Sequence, residues 1–287
     1  MIIPSISVRL GTLTLGMQLH QILFASALVA YTLVTDARAG ELPRWEVGLG
    51  IVGLSTPDYR GSDQQRGFFL PFPYIQYRGD VLKIDREGAH GDVFTSNYVK
   101  LDLSINAAPP VKSGKNGARS GMPDIDPTIE AGPSLQIFFA HNGRHERAWS
   151  LRLPLRTVIA TDLSHTQRIG WLFAPSLNFD TRGHGEWDFS AAVGPLYATE
   201  NYHDYYYEVP LAYAIVDRPA YNARGGHSGS RLTLTASRRF PTFWVGAFVR
   251  YDRLSGAVFV DSPLVRKQES LMVGVGIAYI FSESKRH

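Results

Sequence analysis

Residues 271–281 read LMVGVGIAYIF, and their apolar side chains alternate in size along the chain. The large side chains fall at every second position: Leu271, Val273, Val275, Ile277, Tyr279 and Phe281. The positions between them are mostly small, including Gly274, Gly276 and Ala278. Successive side chains of a β-strand point to opposite faces, so this alternation predicts a strand with one large apolar face and one face of small residues.

The same two-residue period recurs in segments of about ten residues, separated by clusters of Gly, Asn, Asp and Pro. It is sharpest over residues 98–107, where apolar side chains oppose Lys100, Asp102 and other polar residues. Further alternating segments lie at 45–51, 149–156, 169–180, 187–197 and 245–252, and less regular ones at 67–77, 129–140 and 230–240. The chain is therefore predicted to be all-β and antiparallel.

Composition excludes several other classes. Of the 287 residues, 44% are apolar and 19% are charged, which argues against disorder. No cysteine is present, so disulfides and thiolate metal sites are excluded. The net charge of +3 is too small for the basic surface of a nucleic-acid binder. The 9 histidines show no metal-ligand spacing, and we expect no cofactor, metal or catalytic residue.

Two features favour a transmembrane barrel over a soluble β-sandwich. Aromatic residues such as Trp45, Trp149 and Trp187 lie at the ends of the apolar faces, where the aromatic girdles of an outer-membrane barrel are found. The opposite faces carry both charges and glycines, which suits a narrow lumen. We therefore expect an antiparallel up-and-down β-barrel in the bacterial outer membrane, in contact with its lipid.

Loop lengths predict the orientation. The connections at 241–242, 181–186 and 141–147 are short, whereas those at 108–128, 199–229 and 253–268 are long. The two sets alternate, as expected for short periplasmic turns and longer outer loops. Residues 81–85 are strand-like but disturb the alternation of strand direction. We read them as a partial hairpin or as a turn folded into the barrel mouth, which gives about ten strands, with twelve as the alternative.

Residues 1–39 have the layout of a secretory signal peptide. Arg9 supplies the positive charge, residues 22–34 are mainly apolar, and Ala37-Arg38-Ala39 places small residues before a cleavage site at Gly40. An uncleaved anchor helix is the alternative. The mature chain, residues 40–287, would then be one exported barrel domain.

The polar faces place many charges in the lumen: Lys100, Asp102, Arg152, Arg156, Asp180, Asp188, Arg231, Arg250 and Asp252. Charges in so narrow a space must pair with one another or with water. We favour a structural network, and the alternative is the lining of a narrow channel for small solutes.

A long outer loop contains the densest aromatic cluster of the chain: Tyr202, Tyr205, Tyr206, Tyr207 and, further on, Tyr221. Tyrosines offer rigid amphipathic contact area, so this loop is a candidate partner-binding surface. The equal alternative is that the rings pack over the barrel mouth.

A third hypothesis is a surface hydrolase acting on lipid or peptide. His203 beside Asp204 offers half of an acid–base pair, with Ser228 or Ser230 as nucleophile. No Gly-x-Ser-x-Gly motif supports it, and we expect no enzymatic activity.

Several motifs occur together in one order along the chain. They are PDYRGSD at 57–63, LPFPYIQYRGD at 70–80, ENY at 200–202, YYYEV at 205–209, RYDRLSG at 250–256 and DSPLV at 261–265, followed by the last strand. With these motifs the chain resembles the MipA/OmpV family of outer-membrane proteins, also called MltA-interacting proteins.

The resemblance implies a non-enzymatic barrel that acts as a scaffold in peptidoglycan remodelling. Its partners would be a murein synthase and a lytic transglycosylase. It supplies no partner-contact residue. One departure is the charged tail SESKRH at 282–287, because barrels of this type usually end at the aromatic residue, here Phe281.

Overall fold

The computed structural model describes residues 43–78, 82–85, 88–91, 94–96, 98–141, 147–162, 164–181 and 187–284. The signal peptide predicted at residues 1–39 lies outside the described residues and stays a prediction.

Within these described ranges, fourteen strands form one sheet. They are β1 Trp45–Pro57, β2 Gln65–Arg78, β3 Leu82–Asp85, β4 Gly88–Gly91, β5 Phe94–Thr95, β6 Val99–Ala108, β7 Thr128–His141, β8 Arg147–Thr161, β9 Thr166–Phe173, β10 Ser176–Thr181, β11 Asp188–Ala198, β12 Gly226–Arg239, β13 Phe243–Arg253 and β14 Glu269–Glu283. Helix α1 is Glu200–Tyr207, and single 3-10 turns lie at Ser113–Lys115, Gly117–Arg119 and Leu211–Tyr213. No helix among the described residues is long and apolar enough to cross a membrane.

The sheet is antiparallel and closes on itself. Strand β1 pairs with β2 on one side and with the last strand, β14, on the other. At the far ends of the strand order, Cα atoms of β4 lie within 8 Å of β6. The chain therefore forms an up-and-down β-barrel, as the period-two segments predict.

Most of the described wall consists of ten long wall-spanning strands. Strands β9 and β10 together count as one of them, because both pair with β8 and with β11. Strands β3 and β4 form a short hairpin of 4 residues on each side, and the 2 residues of β5 pair with β6. The prediction of about ten strands with a partial hairpin is confirmed.

The wall has an apolar outer face and a polar inner face. Leu49, Ile51, Ile277 and Tyr279 on the outer face are each more than half exposed. The buried polar side chains on the inner face include Glu46, Asp102, Ser134, Gln136 and Ser150. A sandwich would bury its apolar face, whereas here that face is turned outward, as contact with lipid requires.

The two rims of the barrel differ. Glu46 pairs with Glu283, so the start of β1 and the end of β14 lie at the same rim, which is also the rim of the three short connections. By the rule for outer-membrane barrels, this rim faces the periplasm. Residues 109–127, 199–225 and 254–268 connect strands at the outer rim, where two further connections, 58–64 and 162–165, are shorter.

Candidate functional site

The tyrosine-rich segment begins with helix α1 at the outer rim. Thr199 precedes the helix, and its Oγ1 accepts a hydrogen bond from the backbone N of Trp171 in β9 at 3.0 Å. Gly170, also in β9, has a φ of +132°, and a Cβ there would overlap Thr199 Oγ1 and come within 3.0 Å of the backbone N of Tyr202. Only glycine tolerates both this φ and this close approach, so Gly170 lets α1 pack on the wall.

Four outer connections meet in one apolar cluster, which we call the loop cap. Its buried members are Tyr59, Val111, Ala118, Met122, Ile125, Tyr207, Val209, Ala223, Leu254, Ala257, Phe259 and Leu264. These residues come from the segments after β1, β6, β11 and β13. The long outer loops are therefore folded against one another and joined by apolar contacts.

Tyr207 lies at the centre of the loop cap and is only 2% exposed. Its ring stacks on Phe259, and its hydroxyl donates to the backbone O of Arg60 at 3.0 Å. Its backbone O accepts from the hydroxyl of Ser262 at 2.7 Å. Burial raises the pKa of Tyr207 well above its usual value. A ring enclosed in this way has no free surface for a partner, so Tyr207 holds the cap together.

The other candidate tyrosines are half-buried and also pack within the protein. Tyr205 Oη accepts from the backbone N of Asp126 at 2.9 Å, and the Tyr206 hydroxyl donates to Thr128 Oγ1 at 3.4 Å. Tyr202 lies beside Tyr206, with ring centroids 5.1 Å apart. The Tyr221 hydroxyl donates to the backbone O of Val258 at 3.4 Å. These contacts favour the alternative in which the rings pack over the mouth.

His203 and Ser228, two residues of the hydrolase hypothesis, are brought together under the cap. His203 Nε2 lies 2.5 Å from Ser228 Oγ, and Nδ1 lies 2.5 Å from the backbone O of Arg224. Because a carbonyl only accepts, Nδ1 carries the proton and Nε2 accepts from the serine hydroxyl. Both side chains are 0% exposed, and burial lowers the pKa of His203 to about 4. Asp204 takes no part, since its Oδ1 accepts from the backbone N of Ala223.

Two buried arginines, which the sequence patterns did not single out, tie the loops together. Arg119 donates to the backbone O of Tyr206 at 3.1 Å and to that of Pro123 at 3.2 Å. Arg218 donates to the backbone O of Ala118 at 3.0 Å and to that of Tyr213 at 2.9 Å. Such bonds satisfy loop carbonyls that the fold removes from water, so they lock the cap in place.

Below the cap, charged side chains pair across the inner face of the barrel. Arg156 Nη1 lies 3.2 Å from Glu130 Oε2, and Lys100 Nζ lies 3.3 Å from Asp102 Oδ2. Asp252 Oδ1 lies 2.8 Å from Arg231 Nε and 3.2 Å from Arg60 Nε. Of the charges predicted for the lumen, Asp102, Asp180 and Asp252 are buried, while Lys100, Arg152, Arg156, Asp188, Arg231 and Arg250 are half-buried.

The alternation of the strands does not predict two members of this network, Glu130 and Arg60. Glu130 lies in one of the less regular segments, and Arg60 lies in the loop after β1, within the motif at 57–63. Alternation of apolar and polar residues therefore predicts lumen-facing residues within regular strands. It does not predict loop residues whose side chains point into the lumen.

At the periplasmic rim, a second ion-pair network links strands β1, β12 and β14. Arg239 Nη2 lies 2.6 Å from Glu46 Oε1 and 2.7 Å from Glu283 Oε2. Strand β14 thus runs two residues beyond Phe281, and the first charged residue of the tail is part of the wall. In the turn after Arg239, the rings of Phe240 and Phe243 stack with centroids 4.4 Å apart.

The sequence also matches a known family over most of the barrel. Residues 49–281 match the family model described as MltA-interacting protein MipA. The chain belongs to the MipA family. The resemblance drawn from the motifs is confirmed. A MipA-family chain with a closed antiparallel wall and an apolar outer face is an outer-membrane β-barrel protein.

Several solved structures are similar to this MipA-family chain at low identity. The NanC porin is 7% identical, with a TM-score of 0.39 over 80% of this chain and 98% of that one. An outer-membrane channel of Pseudomonas putida F1 is 10% identical, with a TM-score of 0.38 over 86% of this chain and 100% of that one. Outer membrane phospholipase A of Escherichia coli is 12% identical, with a TM-score of 0.35 over 86% and 94%. No curated protein sequence matches the chain.

Within the ranges that the structure covers, no group of three or more His, Asp or Glu residues is placed to hold a metal ion.

Proposed function

We propose that this MipA-family barrel is a non-enzymatic scaffold that holds a lytic transglycosylase and a murein synthase together at the outer membrane. The family description, an MltA-interacting protein, supports the first partner. The second partner comes from the family resemblance. In this role the barrel anchors a complex and does not need to pass a solute.

The loop cap is the observation that carries this proposal. Twelve buried residues of four outer segments close over the barrel, and buried arginines bond their carbonyls. A solute crossing the barrel would have to break these contacts as well as the ion pairs below. The alternative of a narrow channel draws support from the lumen charges, but it requires the cap to open.

Burial argues against a hydrolase. His203 and Ser228 have the contact that a serine nucleophile and its base require. Neither side chain is exposed, however, and Phe259 lies against the imidazole with ring centroids 4.7 Å apart. A lipid or peptide substrate has no approach to this serine. We infer that the pair is a structural hydrogen bond of the cap.

The partner surface belongs at the periplasmic rim, because both partner enzymes act on the murein layer. The tyrosines of α1 lie at the opposite rim and cannot reach those enzymes. Among the described periplasmic residues, the turn between β12 and β13 offers aromatic and basic side chains. The Arg238 guanidinium lies over the Phe240 ring, 4.9 Å from its centroid, and Pro241 and Thr242 are exposed. Aromatic and arginine side chains are enriched at protein interfaces.

Site-specific photo-crosslinking in intact cells tests the proposal. A photoreactive residue at Thr242 should crosslink to a lytic transglycosylase or a murein synthase. The matched control is Val216, which is 99% exposed in the outer loop and should crosslink to neither enzyme. Barrel assembly is checked for each variant by heat-dependent gel mobility. Assembled protein that crosslinks to neither enzyme from Thr242 would exclude this docking surface.

A further inference from the structure

Among the described residues, Lys100, Arg156 and Arg231 on the inner face each pair with a carboxylate, whereas Arg250 pairs with none. The Nε of Arg250 is buried without a hydrogen-bond partner. The contact made by its Nη1 is with Met272 Sδ, at 3.7 Å. A thioether sulfur is a weak acceptor, so the guanidinium keeps most of its hydrogen-bonding capacity.

The two described carboxylates that interact electrostatically with Arg250, Asp252 and Glu130, are paired with other arginines. Asp252 forms ion pairs with both Arg231 and Arg60, and Glu130 forms an ion pair with Arg156. Arginine does not deprotonate in proteins, so these six described side chains carry four positive and two negative charges. The excess among them is two positive charges, which is costly in a narrow lumen unless an anion or water compensates it.

Strand register places the free guanidinium beside a paired one. Arg231 lies opposite Asp252, and Thr233 lies opposite Arg250, so Arg231 and Arg250 are diagonal neighbours on the inner face of β12 and β13. Diagonal neighbours have Cβ atoms roughly 7–8 Å apart, a spacing at which two long side chains can both reach one oxyanion. Arg156 on β8 also interacts electrostatically with Arg250. Arg250 is only half-buried, so it remains accessible from the lumen.

We propose that Arg250, with Arg231 and Arg156, forms a lumen site for a phosphate dianion, either free phosphate or a phosphate monoester. Guanidinium groups match phosphate oxygens with paired N–H donors. A dianion balances the local excess of two charges, whereas a single carboxylate or chloride leaves one uncompensated. The site does not depend on the scaffold role, because it concerns the lumen and not the periplasmic rim.

Calorimetric titration of the purified full barrel in detergent tests the proposal. Sodium phosphate should bind with at least about tenfold higher affinity than sodium chloride at the same ionic strength. Arg250→Gln should weaken phosphate binding about tenfold or more. Arg266→Gln is the matched control, because Arg266 is exposed in an outer loop, and it should leave the affinity unchanged. Equal affinity in wild type and Arg250→Gln, or phosphate no better than chloride, would overturn the site.

A second variant, Arg250→Lys, and a second ligand, glycerol 3-phosphate, complete the test. If Arg250→Gln fails to give a heat-modifiable barrel, Arg250→Lys replaces it in the titration. Lysine keeps the positive charge but lacks the paired N–H donors, so this variant should bind phosphate several-fold more weakly than wild type. Wild-type affinity in Arg250→Lys would also contradict the site. Glycerol 3-phosphate separates the two sources: tighter binding than inorganic phosphate assigns the site to an ester, and weaker binding assigns it to free phosphate.

Discussion

The ring of Tyr207 in helix α1 stacks on the ring of Phe259 in the loop after β13, with centroids 3.7 Å apart and planes inclined by 9°. Their segments are far apart in sequence and belong to different outer loops. The stack therefore fastens one loop to another and fixes the loop cap over the barrel.

Phe259→Ala should loosen the loop cap while leaving the barrel wall assembled. Removing a fully buried phenylalanine leaves a cavity, so the free energy of opening the cap should fall by about 3–5 kcal/mol. Amide hydrogen exchange measures this at Val209, whose N–H donates to the backbone O of Tyr221 at 2.8 Å. Val258→Ala is the control, because Val258 is 37% exposed and should change exchange little. Unchanged protection of Val209 in Phe259→Ala would show that the stack does not hold the cap.

Lower pH should weaken the cap through His203. Burial lowers the pKa of His203 from 6.5 to about 4, so between these values the opened cap binds a proton that the closed cap does not. Stability of the closed cap therefore falls as pH decreases from 6.5, by about 3 kcal/mol over the full window. Burial raises the pKa values of Asp204 and Glu208, and these carboxyls oppose the trend at the acid end.

Limited proteolysis of the outer loops between pH 7 and 5 measures this effect. Wild type should be cleaved faster at pH 5, whereas His203→Gln, which has no titratable ring, should lose most of the pH dependence. A wild-type cleavage rate that stays constant over this range would contradict the assigned role of His203.

Gly170→Ala should disturb the packing of α1 against β9. Alanine is strained at a φ of +132°, and its Cβ would meet Thr199 and Tyr202. We expect a loss of at least about 1–2 kcal/mol in cap stability, read from the melting temperature. Gly114→Ala is the control, since a Cβ there meets nothing within 4 Å. Equal melting temperatures for the two variants would argue against close packing of α1 on β9.

Ser228 should be unreactive in the assembled protein. Its hydroxyl is 0% exposed, so a fluorophosphonate probe should not label it in the native barrel. Mass spectrometry of the probe-treated native protein detects any label. Labelling of Ser228 in the native barrel would restore the hydrolase hypothesis.

The sequence predicted the wall better than the cap, for a physical reason. A strand in a lipid-facing wall must alternate, so segments such as 271–281 show their structure locally. Helix α1 has no such pattern, because its aromatic residues pack against several separate segments, both loops and strands of the wall. The contact between His203 and Ser228 joins a helix to a strand across a long loop. Contacts of this kind depend on tertiary packing, which local periodicity does not record.

Planar-bilayer recording of the purified wild-type barrel tests most directly whether the protein works as a closed scaffold and not as a channel. The loop cap and the ion pairs beneath it predict no stable conductance in wild type, and brief openings in Phe259→Ala. A stable, ohmic conductance in correctly folded wild-type protein would contradict the closed barrel and would favour solute passage instead.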